Sequence, residues 1–544
     1  MNLLGFAIAL LLTMVLIPPL TRLAEHLQVL DLPSGRKVHT APMPRIGGIA
    51  MGIASLVPIV LWLPLDSLLR GYVAGALCLL VAGAIDDRYT LSPATKALGQ
   101  LVAIVCFMLI SGVHFDTVIV VDRLSIPAWL GYSLTVPFLL GVTNAVNLSD
   151  GLDGLAGGLT LLSCAALALL GQSWNQPFVQ TVGVVIAGSI LGFLRFNTFP
   201  ARIFMGDAGS QFLGFSVGVL AVYLVQQHVT ALSSAVPLFL IGLPLIDTLA
   251  VTVLRLRAGV SPFAADRRHL HHRLLGLGFD HYEVVAAIYA LQCLLLLLAW
   301  QLRFASDLLI IAVYFLLVQL GVQGPAALQR HGWRWRQAAA LPVPSAASRL
   351  VRWLAHPQRL PSWSIRFACL CTVAYWLGVA RYATAVPEDV RWLSAAAMLL
   401  LVGCLHWRNS DLVQRWLVRG TLYVAVVTAV FLDHNASQKV ALLQAVKFVF
   451  LPLLAVSVAI AVRFSRERKF GATPVDLLLV FGALALPNLP GLHTSSSDLG
   501  LSIAKLFALC YAVELIATLG SRLRFVLHGA GALFFLVIAL RGWL

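Results

Sequence analysis

The stretch Asn144–Gly158 reads NAVNLSDGLDGLAGG and stands where one long apolar segment stops and the next begins. Asn144, Asn147 and Asp150 recur at helical spacing, so they share one face of the last two turns of a helix that is otherwise greasy. Asp150 and Asp153 straddle Gly151, and Gly154, Gly157 and Gly158 follow, which lets the backbone bend sharply and a ligand approach it closely. A polar helix end with a glycine turn at the membrane interface accounts for any one of these residues. The whole string points instead to the wall of a binding site.

Around this stretch the chain is a membrane protein by composition. Of 544 residues, 60% are hydrophobic and 11% charged, and the mean hydropathy is +0.89, far outside soluble globular usage. Apolar runs of helix-spanning length recur from end to end, roughly eighteen of them. The expected fold is an all-α polytopic membrane protein, with about 11 transmembrane helices up to residue 323 and about 7 more in a C-terminal extension. The first run, Leu3 to Leu20, has no Lys or Arg before it and Arg22 just after it, the reverse of a cleavable signal peptide. It is expected to stay in the mature chain with the N-terminus outside.

Net charge is +15, and its distribution decides its meaning. With the N-terminus outside and the spans alternating, the inner loops through Gly321 carry thirteen Lys or Arg and the outer loops three: Arg70, Arg123 and Arg303. Over the whole chain the bias is 29 to 7, with Lys447 and Lys505 inside spans. The basic excess is therefore mainly an orientation signal, and it also suits membrane lipids or phosphate ligands on the inner face. No aromatic-basic module accompanies it, which excludes nucleic acid as the partner. The eight cysteines all fall in apolar runs without C-x-x-C spacing and read as small core residues.

Other loops on the inner side carry chemistry. DLPSGRKVHTAPMPRIGG holds Arg36, Lys37, His39 and Arg45 before Gly47 and Gly48, and cations beside glycines suit phosphate oxygens. The third span ends in GAIDDRYT, so Asp86 and Asp87 face the negative end of the helix dipole and call for a compensating charge. Arg88, a divalent metal or a cationic transition state would supply it. FNTFPARIFMGDAGS, Phe196 to Ser210, sets Asp207 between Gly206 and Gly209 just before a helix, either as a metal ligand or as a helix cap; Asn197 is polar and Phe204 a candidate stacking platform. Asp247, in the ninth span, is expected to face the protein interior as the partner of a nearby cation or a support of the site. The next loop, LRLRAGVSPFAADRRHLHHRLLGLG, brings His269, His271 and His272 beside Arg267, Arg268 and Arg273. No carboxylate or Cys completes a zinc set there, so pyrophosphate or sugar hydroxyls suit it better. On the outer side, His114 to Ile126 has the alternation of a short hairpin.

Taken together, the loop ending PRIGG, DDR at Asp86 to Arg88, NAVNLSDGLDGLAGG, FNTFPARIFMGDAGS, PLIDT at Pro244 to Thr248 and HLHHRL at His269 to Leu274 resemble, in order and spacing, the polyprenyl-phosphate N-acetylhexosamine-1-phosphate transferases. These membrane enzymes begin peptidoglycan, O-antigen, enterobacterial common antigen and teichoic acid lipid-linked glycans. The resemblance covers about residues 1–323. It implies transfer of a HexNAc 1-phosphate from a UDP-N-acetylhexosamine to undecaprenyl phosphate, with release of UMP, at the cytoplasmic face of a bacterial inner membrane. It also implies Mg²⁺ as cofactor, with Mn²⁺ as the alternative.

By the same resemblance Asp207 is the metal ligand, with Asp86 as a second ligand and the base or positioning group for the lipid phosphate, assisted by Asp87. Asn197 and Phe204 correspond to uracil contacts. Asn144, Asn147, Asp150 and Asp153 belong to the nucleotide-sugar site, together with Lys37 and Arg45. His271 and His272 join the catalytic group, and His269, Arg267, Arg268 and Arg273 the pyrophosphate and sugar contacts. The HLHH form looks more like members that use UDP-GlcNAc or a related amino sugar than those that use UDP-MurNAc-pentapeptide. Thr90 departs from the pattern, since many relatives carry an acid or Asn there. The classes weighed against this enzyme are a transporter, which would gather polar groups near the bilayer midplane, and an inactive scaffold.

Residues 324–364 form a basic linker containing Pro and Trp, and residues 365–544 a second multi-span domain without paired acids or a phosphate loop. Lys447, Lys505 and Glu514 lie within its spans and are expected to snorkel or pair. The extension is expected to dock glycan-pathway proteins or shape lipid access, and a homodimer is the other partner left open.

Overall fold

The computed structural model describes residues 2–32, 42–119, 123–226, 232–261, 268–330, 359–383, 386–406, 412–436, 497–519 and 523–541, with 453, 454 and 457. Among these, ten helices are long and apolar enough to cross a membrane, and shorter apolar helices lie at Gly47–Trp62, Asp307–Gly321 and Ala508–Thr518. The chain is an all-α multi-pass membrane protein, the form in which a greasy chain can satisfy its backbone internally. The described strands are two small antiparallel pairs, β1 (Leu30–Asp31) with β2 (Met43–Pro44) and β3 (Thr117–Ile119) with β4 (Arg123–Ser125). The second pair is the hairpin expected between His114 and Ile126.

The chain divides into two compact units, Leu4–Gln337 and Ala338–Leu544. In the first, the helices are α1 (Asn2–Leu27), α2 (Gly47–Trp62), α3 (Ser67–Tyr89), α4 (Pro93–Ser111), α5 (Ala128–Leu148), α6 (Leu155–Ser173) and α7 (Pro177–Asn197). They continue with α8 (Gly206–Leu224), α9 (Pro237–Ile241), α10 (Leu243–Arg257), α11 (Leu270–Gly276), α12 (His281–Gln301) and α13 (Asp307–Arg330). Local chemistry sets the starts. Asp66 accepts a hydrogen bond from the Leu69 amide at the head of α3 (2.8 Å), Ser92 one from Thr95 at the head of α4 (3.2 Å), and Asp280 with Glu283 forms a capping box on α12, each quieting an orphan N–H.

α8 is the central post, packed by α2, α3, α5, α6 and α7. Lipid tails are as apolar as the side chains, so helices associate here through close packing of small residues. A Cβ on Gly48 of α2 would lie 2.1 Å from the Gly209 nitrogen of α8, and one on Gly83 of α3 would lie 2.4 Å from the Ala208 Cα. Backbones thus touch at the head of α8, which brings the ends of α2 and α3 to the same place.

The ninth span, expected as one helix, is broken into α9 and α10. Gly242 has φ +55°, a conformation open to glycine, and Pro244 follows it. The freed backbone groups find side chains. Gln292 of α12 accepts from the Leu243 amide (2.9 Å) and donates to the Leu240 carbonyl (3.3 Å), while the Tyr314 hydroxyl donates to the Gly242 carbonyl (3.4 Å).

α13 continues past the expected boundary at residue 323, and the second unit begins its described helices at Arg359–Tyr382, so both ends of the expected linker are helical. Arg334, Arg336, Arg349, Arg352 and Lys447 lie outside the described residues. The other described helices of this unit are Glu388–His406, Leu412–Ala436, Ser497–Leu519 and Leu523–Leu540. Lys505 and Glu514 are paired as expected. Lys505 meets Asp433, which also accepts from the Tyr375 hydroxyl (2.9 Å), and Glu514 takes Arg419 (3.1 Å) and the Tyr423 hydroxyl (2.7 Å).

Candidate active site

The site is assembled at one end of the first unit, from the ends of α3, α5 and α7 and the starts of α2, α4, α8 and α12. Two loops far apart in sequence share a step of parallel ladder. The Phe204 amide donates to the Pro44 carbonyl (2.9 Å), and the Gly47 and Gly48 amides donate to the carbonyls of Phe204 (3.0 Å) and Met205 (2.8 Å). Gly206 has φ +69°, and a Cβ there would lie 2.4 Å from Asp87 Oδ2. The turn therefore passes directly beneath Asp87. Asp87 spends both oxygens on it, accepting from the amides of Asp207 (2.8 Å) and Ala208 (3.1 Å). The carboxylate expected to assist Asp86 thus fastens the head of α8, where the positive end of that helix favours an anion. Asp207 is left free of capping duty.

Asp207 instead faces Asp86 across a cation. Lys96, one turn into α4, places its ammonium 2.6 Å from Asp207 Oδ1 and 3.2 Å from Asp86 Oδ2. Asn147 donates to the same Asp207 oxygen and to Ser210 Oγ (2.7 Å), and Asp86 Oδ1 accepts from the Leu91 amide (2.7 Å). Arg88, one of the compensating charges left open by the sequence, is exposed and lies over the Tyr89 ring; a side chain at the outer corner of the α3 end cannot face inward. Lys96 takes its place. Its signal in the sequence was its position just inside the next helix, since helices joined by a short loop are antiparallel neighbours; read from charge alone it is one more inner-loop cation.

Asp86 and Asp207 converge on one cation-sized position, which fits a hard divalent ion that takes one or two carboxylates and completes its shell with substrate oxygens. Among the described residues no group of three or more His, Cys, Asp or Glu is arranged to hold a metal by itself, so an ion here would need those further oxygens.

The turn after α5 forms the adjoining wall. Burial, reinforced by the charges of Asp207, Asp87 and Asp153, pushes the Asp150 carboxyl up to about 7. Asn144 lies half-buried one turn back on α5 from Asn147. Asp153 accepts from the Ala201 amide (2.9 Å) and Asn197 spans the same gap, its oxygen on the Gly154 amide (3.0 Å) and its nitrogen on the Ile203 carbonyl (2.9 Å). Asn197 is 2% exposed, so the residue matched to a uracil contact ties these two loops together. Phe204 is half-buried beside them.

The histidines close on this wall. His271 packs so tightly on Gly151 that a Cβ there would lie 2.4 Å from its Nε2. Burial first, then the neighbouring His272 and His269 against the pull of Asp247, lowers His271 to about 3, which keeps it neutral. His272 lies 4.2 Å from it, ring to ring. Asp247 holds the segment in place, bonding His269 Nδ1 (2.9 Å) and the Leu270 amide (2.8 Å), which is the supporting one of the two roles expected of it. Arg268 donates to the Leu254 carbonyl in the last turn of α10 (3.2 Å), where a cation complements a helix end, and Arg273 donates to the Gly321 carbonyl within α13 (3.0 Å). Arg45 is paired with Asp31. Lys37 and Arg267, with Arg36 and His39, lie outside the described residues.

The profile of glycosyl transferase family 4 matches residues 69–225, the segment from α3 to α8 that builds the carboxylate cluster. The chain is 34% identical over 323 residues to the "Probable undecaprenyl-phosphate N-acetylglucosaminyl 1-phosphate transferase" of Bacillus subtilis, covering 58% of this chain and 88% of that relative. The chain belongs to this family. Two further glycosyl transferase family 4 relatives agree. The "Decaprenyl-phosphate N-acetylglucosaminephosphotransferase" of Mycobacterium tuberculosis is 36% identical over 50% of this chain and 75% of its own length. The "Undecaprenyl-phosphate alpha-N-acetylglucosaminyl 1-phosphate transferase" of Escherichia coli K12 is 31% identical over 49% and 74%. These are the polyprenyl-phosphate N-acetylhexosamine-1-phosphate transferases that the motifs resemble, and in each case about half of this glycosyl transferase family 4 chain, or somewhat less, lies outside the match.

Proposed function

We propose that the protein transfers N-acetylhexosamine 1-phosphate, with GlcNAc as the leading sugar, from its UDP derivative to undecaprenyl phosphate. UMP leaves, and a lipid-linked cell-envelope glycan begins at the cytoplasmic face of the bacterial inner membrane. The observation that carries this reading is the convergence of Asp86, Asp207, Asn147 and Lys96 at one end of a membrane bundle, on the side that the charge bias assigns to the cytoplasm. The relatives' printed activities support the same chemistry. An anionic lipid phosphate must meet an anionic diphosphate, so positioning and electrostatics dominate the barrier. A bound Mg²⁺, held by Asp207 and Asp86, would supply charge neutralisation of phosphate oxygens. Around it, Asn147 orients Asp207, Asp87 fixes the turn that carries Asp207, and neutral His271 stands beside Gly151 at the wall assigned to the nucleotide sugar. The lipid phosphate has a second pKa near 6 and is largely dianionic without help, so Asp86 serves placement more than proton removal.

The test is UMP release from UDP-GlcNAc with undecaprenyl phosphate and Mg²⁺, with Asp207→Ala and Asp86→Ala beside the wild type. Both variants are expected to lose about 10²-fold or more. Full activity in both removes the site assignment, and no release with any UDP-N-acetylhexosamine removes the enzyme.

A further inference from the structure

Two carboxylates that converge at the C-terminal end of α3 need a positive charge whether or not a divalent ion is present. Lys96 supplies it, within 2.6 Å of Asp207 and 3.2 Å of Asp86. The same geometry makes it an obstacle, because the ammonium stands where the two carboxylates point together, and two cations cannot share that position. Lys96 is also able to leave. Its side chain is 21% exposed on a flexible four-carbon stem, whereas Lys505 in the second unit, 4% exposed against a fully buried Asp433, is locked. One turn further along the same face of α4, Gln100 is 4% exposed and its amide nitrogen has no hydrogen-bond partner among the described residues. An amide whose nitrogen has no fixed partner can turn its oxygen toward a displaced ammonium.

We infer that Lys96 is the exchangeable counter-cation of the Asp86 and Asp207 pair: it holds the two carboxylates in the metal-free protein and gives way when a divalent ion binds. This rests on the metal site proposed above. It makes Lys96 a built-in competitor that sets the metal concentration at which the site fills, with the carboxylates never left bare.

The experiment is thermal unfolding of the purified full-length protein in detergent, titrated with Mg²⁺, for wild type and Lys96→Gln. Without metal, Lys96→Gln is expected to melt lower than wild type. The Mg²⁺ concentration for half-maximal stabilisation is expected to fall about tenfold or more in the variant, because the competing charge is gone. Unchanged or weakened Mg²⁺ binding in Lys96→Gln overturns the exchange while leaving the metal site standing; no Mg²⁺ stabilisation of the wild type overturns both. If Lys96→Gln does not fold, amine labelling of the wild type reads the same event. Mg²⁺ is expected to increase modification of Lys96, measured by mass spectrometry of its peptide, and an equal or slower rate with Mg²⁺ overturns the exchange.

Discussion

At the residue scale the site depends on contacts that a single atom would spoil. Gly151 has His271 where a Cβ would stand, at 2.4 Å, and both partners are held, His271 by burial and Gly151 by its turn. Gly151→Ala is therefore expected to lower stability by about 1–3 kcal/mol and to displace the histidine segment, with a fall in kcat/KM for the UDP-sugar. Gly324→Ala is the control, since nothing lies within 4 Å of a Cβ there. Thermal melting and initial rates on the two variants check this, and equal behaviour would remove the contact from the account.

His271 carries a pH signature. Its folded pKa of about 3 lies below the ordinary 6.5, with burial the first cause, so the fold favours the neutral ring. That contribution is intact above pH 6.5 and is lost as pH falls toward 3. Stability should drop on acidification with a slope of up to about 1.4 kcal/mol per pH unit from this group, and His271→Asn should flatten the profile between pH 6.5 and 4.5 in melts of the detergent-solubilised protein. An unchanged slope would place the acid sensitivity elsewhere.

Residue types were legible here where function itself demands them. Asp86 stands out because a carboxylate at a helix C-terminus faces the negative end of the dipole, and Asp207 because it lies between glycines just before a helix. Lys96 did not stand out, because a lysine on the inner side is ordinary in a membrane protein and only the fold shows what it faces. The match of Asn197 to a uracil contact rests on resemblance alone: a polar residue beside glycines and prolines reads the same whether its amide meets a substrate or two backbone groups.

At the element scale, helices were readable from hydropathy, and their interruptions were not. The run through Ile241, Gly242, Leu243 and Pro244 is apolar throughout, so it scans as one span. What makes the break affordable is Gln292, far along the chain in α12, with its oxygen on the Leu243 amide and its nitrogen near Ser163 Oγ and the Leu240 carbonyl. Gln292→Leu leaves those groups without a partner in a water-poor interior and is expected to cost about 1–3 kcal/mol. Because α10 carries Asp247, which holds His269, transferase activity should fall with it. A variant with unaltered melting would show that the break is satisfied in another way.

At the scale of the whole molecule, the described motifs identified by residue type converge at one end of the first unit. Fold class was legible from hydropathy, and the gathering of the candidate motifs from their residue types. The boundaries between units were less so, because α13 runs past residue 323 and a helix begins at Arg359. A basic, proline-containing composition is compatible with helix ends as well as with a linker. The side chains that build the described site all belong to the unit Leu4–Gln337. A chain ending at Gln337 is accordingly expected to insert and to keep UMP release within about an order of magnitude of the full-length protein when Mg²⁺ and both substrates are saturating. Complete loss in a folded truncation would make the second unit part of the catalytic body.

The bond between Lys96 and Asp86 also bears on how the chain is made. α3 and α4 are consecutive and packed together, so this pair can close as soon as the α3–α4 hairpin is in the bilayer. Asp207 lies 111 residues after Lys96, and at about 5–20 residues per second it emerges about 6–22 seconds later. During that interval the nascent chain shelters its own carboxylate from the lipid, and the last partner joins a position already neutralised.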